Sequence, residues 1–383
     1  MSRPEPLRIL ALLEATSITG TAKAVLEMAY ESRADLSSAR PVEIYVANFV
    51  RGQKDPQNAL TQAMQTAQIP FSCVREQRRF DSMVMPQIQS LAGQYQAQMV
   101  WTNSVKSHFL VHRAGVRKNC KWVAFHHGYT STDLKMRLYN ELDRISLPKA
   151  DRVLTVCRPF ADQLAARGVD RTRLRVQHMP VRPFLISPGD PAKLRNELGL
   201  PPDAKVILSV GRLSHEKGHS DLIAAFTLLR NQLFGETLRL VLVGDGPERG
   251  KLEQQARASS AQKEILFTGH RDDAKRFYGI ANVFALPSYS EGTPNVLLES
   301  MAAGVPVVTT WVGGIPELAA DTENALLVAP KKPKAMADAL QKLVQSPVLR
   351  NELTQAAHRV VDAHTPRAYF EQMREIFFEA AAC

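Results

Sequence analysis

The stretch Ser288–Val308, SYSEGTPNVLLESMAAGVPVV, decides how this chain is read. Ser-Glu-Gly-Thr-Pro is turn material, the following Asn-Val-Leu-Leu-Glu-Ser-Met-Ala-Ala is helix material, and Gly-Val-Pro breaks the helix before a short apolar strand. Pro294 suits the first helical turn, where its missing N–H loses nothing. Glu291 falls on the approach to the helix and Glu299 on its body. On one continuous helix that spacing would leave the carboxylates about 80° apart and about 12 Å along the axis. They are therefore two separate acids, not a pair sharing one proton. The backbone N–H groups between Thr293 and Val296, at the helix start, are placed to hold an anion.

Outward from this stretch the second half repeats one unit. KVILSV at 205 to 210 is a strand that turns at Gly211 and opens a helix after Gly218, with Arg212 and Lys217 across the turn. Two cations at the C-terminal edge of a sheet, with a helix N-terminus nearby, suit a diphosphate. LRLVLV at 238 to 243 leads through Gly-Asp-Gly-Pro into another helix, and the strand ending at Gly269 is followed by His270 and Arg271, whose backbone is placed to edge a planar base. Strand 282 to 286 enters the opening stretch. VPVVTTWVGGIPEL at 305 to 318 adds a strand, the pair Gly313 and Gly314, and a helix expected to contain Glu317. Helices are expected at 333 to 345, 347 to 362 and 366 to 381, the last amphipathic and bound to pack its Tyr369, Phe370, Met373, Ile376 and Phe377 on another surface.

The first half alternates in the same way. RILALLEA at 8 to 15 is a strand, and a turn with Gly20 and Thr21 precedes a helix, so N–H groups there face the C-terminal end of the sheet. KWVAFHHGYTS at 121 to 131 delivers His126 and His127 to a strand end, where open α/β sheets bind ligands. Period two points the two histidines to opposite faces, one toward the crevice and one inward, and His127, beside the glycine, is the functional candidate. Six or seven strands separated by helices give a doubly wound parallel sheet. The proline-rich piece 180 to 193 is the connection between two domains, expected at 1–183 and 184–365, as the length of 383 residues also suggests.

Composition narrows the classes. No run of about 18 apolar residues is present, so no membrane-spanning helix is expected, and the N-terminal apolar run, ending in Glu14, reads as a strand and not as a signal peptide. Cys73, Cys120, Cys157 and Cys383 have no metal-type spacing, which suits a reducing cytoplasm and no structural zinc. The net charge of +10 lies entirely in residues 1 to 180, with 25 Lys and Arg against 15 Asp and Glu. An anionic partner is expected there, a membrane surface or a phosphorylated acceptor, or else the surface is merely basic. The densest positive cluster is Lys106, His108, Arg113, Arg117, Lys118 and Lys121. Nucleic acid is disfavoured for want of a zinc finger, a stacking-aromatic motif or a basic tail.

These motifs together resemble the retaining GT-B glycosyltransferases of glycosyltransferase family 4, which include bacterial mannosyl-, glucosyl- and N-acetylglucosaminyltransferases. The resemblance rests on VGRLSHEKG at 210 to 218, LVLVGDGPERGKLE at 240 to 253, FTG at 267 to 269 and PSYSEGTPNVLLESMAAGVPVVTTWVGGIPEL at 287 to 318. In the first half only Gly20, the HHG at 126 to 128 and the strand order carry it. It implies two Rossmann-like domains facing a central cleft, with the C-terminal helix crossing back to the first. It assigns Arg212 and Lys217 to the diphosphate of a nucleotide-sugar donor, UDP-sugar ahead of GDP-sugar, with the Gly20 and Thr21 turn closing over it. Glu299 would hold the ribose and Glu291 the transferred sugar. The backbone of Gly292, Thr293, Pro294, Asn295 and Val296 would contact sugar or phosphate, His127 the sugar, and His270 and Arg271 the base.

No paired aspartates for Mg²⁺ are visible, so no essential metal is expected. The implied acceptor is a cell-surface glycan or lipid-linked molecule, reached from the cytoplasmic face of the membrane. Two departures stand out: a single glycine in the first loop, and HMPVRP at 178 to 183 in place of an Asn-Gly pair. A GT-B epimerase, a phosphorylase and a non-catalytic sugar-nucleotide-binding subunit are the alternatives.

Overall fold

The strands of this chain are short, continuous apolar runs, the pattern of parallel strands buried on both faces. A computed structural model describes residues 5–382 except 16, 19, 37, 53–56, 79–80 and 129–133, and describes no side chain of 134–138. The chain divides into two compact units, residues 1–180 with 366–383, and residues 181–365.

The first unit runs β1 (Leu7–Leu13), α1 (Gly20–Ala34), β2 (Val42–Arg51), α2 (Ala59–Thr66), β3 (Phe71–Glu76), α3 (Val84–Gln94) and β4 (Met99–Thr102). It continues with α4 (Val105–Ala114), β5 (Lys121–His126), α5 (Leu134–Ser146), β6 (Arg152–Thr155), α6 (Arg158–Ala165) and β7 (Leu174–Val176). The second unit runs α7 (Asp190–Glu197), β8 (Lys205–Val210), α8 (His219–Gln232), β9 (Leu238–Val243), α9 (Arg249–Ala258), β10 (Ile265–Gly269) and α10 (Lys275–Tyr278). β11 (Val283–Leu286), α11 (Asn295–Ala302), β12 (Val307–Thr310), β13 (Leu326–Val328), α12 (Pro333–Gln345) and α13 (Pro347–Ala363) complete it. The last helix, α14 (Pro366–Ala382), belongs to the first unit.

Both sheets are parallel and doubly wound. The strand order is 3-2-1-4-5-6-7 in the first and 10-9-8-11-12-13 in the second. Each order reverses direction once, between β1 and β4 and between β8 and β11. Such a switch point opens a crevice outside the carboxyl ends of the strands, and ligands bind there.

Alternation along the strands feeds two cores in each unit. In β5, Val123 and Phe125 join the core under α1 and α14, whereas Trp122 and Ala124 join the core under α3 and α4. The apolar stripe of α14 is spent in the first of these: Tyr369, Phe370, Met373 and Phe377 are buried, and Phe377 meets the edge of Trp101 at 5.5 Å between ring centroids. Polar contacts fix the helix register, since Asp35 after α1 takes Arg367 at 2.9 Å and Arg374 at 2.8 Å. In α4 the capping box of Ser104 and Ser107 starts the helix, and Gly115, in the left-handed region at φ 65°, ends it.

One local expectation fails and another is narrowed. Glu317 lies in a single 3-10 turn, Ile315–Glu317, and not in a helix, because Asn324 and Asp321 immediately fold the chain back toward β13. The basic cluster around α4 is only in part a free face, with Arg113 and Lys118 exposed. Lys106 pairs with Glu76 at 2.7 Å and Glu14 at 3.1 Å, Arg117 pairs with Asp151 at 2.6 Å, and His108 is buried. No described helix is long and apolar enough to cross a membrane.

Phe377→Ala should cost about 3–5 kcal/mol, the usual penalty for emptying an aromatic site in a packed core. Denaturant unfolding should show it as a lowered midpoint with an unchanged slope.

Candidate functional site

The loops at the carboxyl ends of β8 and β11 flank the switch point of the second sheet, and backbone bonds knit them together. Tyr289 N–H donates to the Glu216 carbonyl at 2.7 Å, and Gly314 N–H donates to the Glu291 carbonyl at 3.2 Å. Gly313 lies so close beneath Glu291 that a Cβ there would sit 1.7 Å from its carbonyl oxygen, and its φ of 55° is left-handed. Only glycine fits such an approach. The loop after β12 thereby fixes the backbone of Glu291 from below.

Side chains then converge. Lys217 Nζ donates to Glu291 Oε1 at 2.7 Å, and Ser288 Oγ donates to the same oxygen at 2.6 Å. Glu291 is buried and Lys217 half-buried, so water screens the pair weakly. The sequence placed Lys217 and Glu291 at one crevice but not in one ion pair, and it missed Ser288. Arg212, on the same loop as Lys217, is exposed.

Helix α11 starts at Asn295, with Pro294 as its N-cap at ψ 108° and not inside its first turn. Leu297 N–H makes the first backward bond, to Pro294 O, which leaves the N–H groups of Asn295 and Val296 ahead of the helical ladder. Asn295 Oδ1 is buried without a hydrogen-bond partner beside them. Gly292 and Thr293 are half-buried in the preceding turn. Glu299, one turn along, is half-buried, and its Oε2 accepts from the Tyr278 hydroxyl at 3.3 Å. Burial first, and then Glu299 beside it, push the Tyr278 hydroxyl well above its usual range, so it stays a donor.

His219, the first residue of α8, is buried, and burial with the nearby Lys217 pushes it down to about 4. The remaining expected residues lie further along the edge. Gly269 bridges to Gly244 at the end of β9. His270 is exposed and 3.3 Å from Asp272. The Arg271 guanidinium is committed to Asp273 and, at 2.7 Å, to Glu197 on α7, so only its backbone is left to border a ligand.

In the first unit Gly20 and Thr21 open α1 itself, so their N–H groups belong to a helix start, not to a turn. At the end of β5 the two histidines diverge as period two requires. His126 turns inward to Asp143, with Nδ1 to Oδ2 at 2.9 Å. His127 stacks on Phe125, 4.3 Å between centroids and 23° between planes. Burial, and then His126, push His127 down to about 3. It is a neutral imidazole at physiological pH, suited to hydrogen bonding and not to general acid catalysis. Among the described residues no three His, Cys, Asp or Glu side chains cluster as metal ligands.

The comparisons with known proteins bear on this geometry. The family model described as "Glycosyl transferase 4-like domain" matches residues 19–179, and that described as "Glycosyl transferases group 1" matches residues 190–360. Together they take in both units, and the chain belongs to the family 4-type GT-B glycosyltransferases that they describe. It is 36% identical over 250 residues to a D-inositol 3-phosphate glycosyltransferase of Acidothermus cellulolyticus, covering 62% of this chain and 54% of that one. It is 34% identical over 173 residues to the putative teichuronic acid biosynthesis glycosyltransferase TuaC of Bacillus subtilis, covering 45% and 41%. The chain thus spans about half the length of the curated relatives it matches. In fold it is similar to Anabaena Alr3699/HepE in complex with UDP-glucose, with a TM-score of 0.82, 20% identity, and 97% and 99% of the two chains covered.

Two histidines with depressed values, the buried His219 and the half-buried His127, make stability depend on pH. Both have folded values below the ordinary 6.5, about 4 for His219 and about 3 for His127, so the unfolded chain binds more protons between those values and 6.5. Their contribution is fully present above 6.5 and is lost as the pH falls through the folded values. The melting temperature should therefore fall on going from about pH 7 to about pH 5. His219→Gln should flatten that fall, and thermal melts at both pH values check it.

Proposed function

We propose that the chain is a retaining glycosyltransferase that moves a sugar from a nucleoside diphosphate sugar, UDP-sugar ahead of GDP-sugar, to a cell-surface glycan or lipid-linked acceptor. The observation that carries the reading is the Lys217–Glu291 pair at the switch point of the second sheet, with Arg212 beside it and the start of α11 behind it. In this reading Arg212 and Lys217 bind the diphosphate. Glu291, half neutralised by Lys217, faces the transferred sugar. The N–H groups of Asn295 and Val296, with the turn Gly292–Pro294, meet sugar or phosphate oxygens. Glu299, oriented by Tyr278, takes the ribose hydroxyls, and the backbone of His270 and Arg271 edges the base. In the first unit the candidates are the N–H groups of Gly20 and Thr21 at the start of α1, suited to an anion, and the neutral ring of His127, suited to a sugar hydroxyl.

The chemistry follows from charge. Breaking the bond from the anomeric carbon to the phosphate oxygen leaves positive charge on the ring and negative charge on the diphosphate. Arg212, Lys217 and the α11 N-terminus stabilise the second. The acceptor hydroxyl attacks from the face the diphosphate leaves, and its proton passes to the departing phosphate oxygen, so configuration is retained without a protein nucleophile. UDP is favoured because the fold neighbour HepE was captured with UDP-glucose. A surface-glycan acceptor is favoured by the assignment of TuaC to teichuronic acid biosynthesis. Contact with an anionic membrane surface from the cytoplasmic side rests on the charge excess of residues 1 to 180, to which Lys106, His108 and Arg117 contribute less than their number suggests.

Nucleoside diphosphate should be released from a UDP-sugar only when acceptor is present, and NMR of the product should show the donor's anomeric configuration. An inverted product would overturn the retaining assignment. Glu291→Gln should lower turnover by about 10²-fold. The same change should leave nucleotide affinity equal or tighter, because it frees Lys217 for the diphosphate, and steady-state kinetics with a binding titration separates the two effects. Glu299→Gln should instead weaken nucleotide-sugar binding.

A further inference from the structure

The carboxylate of Asp143, on α5, is fully buried, and no Lys or Arg neutralises it in the hydrogen bonds it makes. Its two oxygens go to two buried imidazoles: Oδ1 to His108 Nδ1 at 2.6 Å, and Oδ2 to His126 Nδ1 at 2.9 Å. Burial alone would raise the carboxyl, but the two imidazoles, His108 foremost, hold it well below the usual carboxylate range. An ionised carboxylate only accepts, so each histidine must donate its Nδ1–H. That fixes both rings in one tautomer, with no proton on Nε2 left to satisfy when neutral, in keeping with a His108 Nε2 that is buried without a partner.

Three elements meet at this carboxylate: α4 through His108, α5 through Asp143, and the last residue of β5 through His126. The next residue is His127. Beyond it Gly128 has φ 104°, and a Cβ there would lie 2.5 Å from Phe160 Cε2 on α6. The peptide carrying His127 is thus gripped on both sides. His126 is tied down toward α4 and α5, Gly128 is pressed on Phe160, and the His127 ring lies on Phe125. Charge-assisted hydrogen bonds away from water are short and directional, so they transmit orientation well. A buried carboxylate is a poor way to gain stability, since apolar packing of the same volume does as well or better.

We propose that Asp143 is a positioning residue: by bridging His108 and His126 it sets the end of β5 and thereby the ring of His127. The inference rests on the reading in which His127 meets the transferred sugar, and it adds a residue that the motifs do not contain.

The test is Asp143→Asn, which keeps the shape but turns one acceptor into an N–H₂ donor facing an N–H donor. Turnover should fall about tenfold or more, in the range that a displacement of about 1 Å produces. Nucleotide affinity, which the proposed reading assigns mainly to Arg212, Lys217 and Glu299, should stay within about twofold. NMR of ¹⁵N-histidine-labelled protein should show two hydrogen-bonded Nδ1–H signals in the parent, their loss or shift in the variant, and a moved His127 ring signal. If Asp143→Asn does not fold, His108→Gln takes its place under the same criteria. A folded variant with parental turnover and an unmoved His127 signal overturns the proposal. If the parent shows no transfer activity with any donor, the transferase reading fails, and the His127 signal alone still decides whether Asp143 positions it.

Discussion

One ion pair organises the second unit. Lys217 comes from the loop after β8 and Glu291 from the loop after β11, so their bond closes the two walls of the crevice that the strand order opens. Glu291 is held on three sides, by Lys217, by Ser288 and by the Gly313–Gly314 backbone beneath it. Each contact depends on the others: a side chain at Gly313 would push on the Glu291 backbone, and a shifted Glu291 would leave a half-buried lysine without its counter-charge. The arrangement therefore keeps charged groups preorganised at the mouth of a sheet. Electrostatic stabilisation of a departing anion requires such groups to be fixed before the reaction starts.

The same principle gives the two units different characters. In the second, Lys217 and Glu291 balance one another, and Arg212 on the same loop as Lys217 is exposed. In the first, the C-terminal edge of the sheet carries a closed set of charges: Glu76 is buried between Arg51 and Lys106, and Lys106 also reaches Glu14. These charges satisfy one another, so this stretch of the edge is a set of ion pairs and not an open basic patch. Part of the positive charge counted in the sequence is thus spent on ion pairs within the first unit. Spacing shows where charges lie along the chain, while pairing depends on strand ends brought together by topology.

Much of the fold was legible for a simple reason. Parallel strands buried on both faces are short apolar runs, and Gly-Asp-Gly-Pro marks where one run yields to a helix while Gly-Val-Pro marks where a helix yields to the next run. The helix 295–302, with one acid before it and one within it, was visible in this way, as were the last three helices. The approach of His126 and His127 on opposite faces followed from period two. The partners of those residues were not visible. Asp143 lies 35 residues from His108 and 17 from His126, on a helix whose sequence looks like an ordinary charged face. His108 itself reads as part of a basic stripe until the packing of α4 against α5 turns it inward. The Pro316 turn was read as a helix because its residues are helix-compatible, and the constraint that ends it comes from Asn324 and Asp321 further on.

The central claim is that the carboxyl edge of the second sheet is a nucleoside diphosphate site built on Arg212 and Lys217. Titration calorimetry of UDP into the parent protein and into Arg212→Ala and Lys217→Met tests it most directly. The account predicts that UDP binds the parent and that each variant loses about tenfold in affinity, the equivalent of about 1.4 kcal/mol for one charge-assisted contact. UDP and GDP both failing to bind, or binding the folded variants as tightly as the parent, would contradict it.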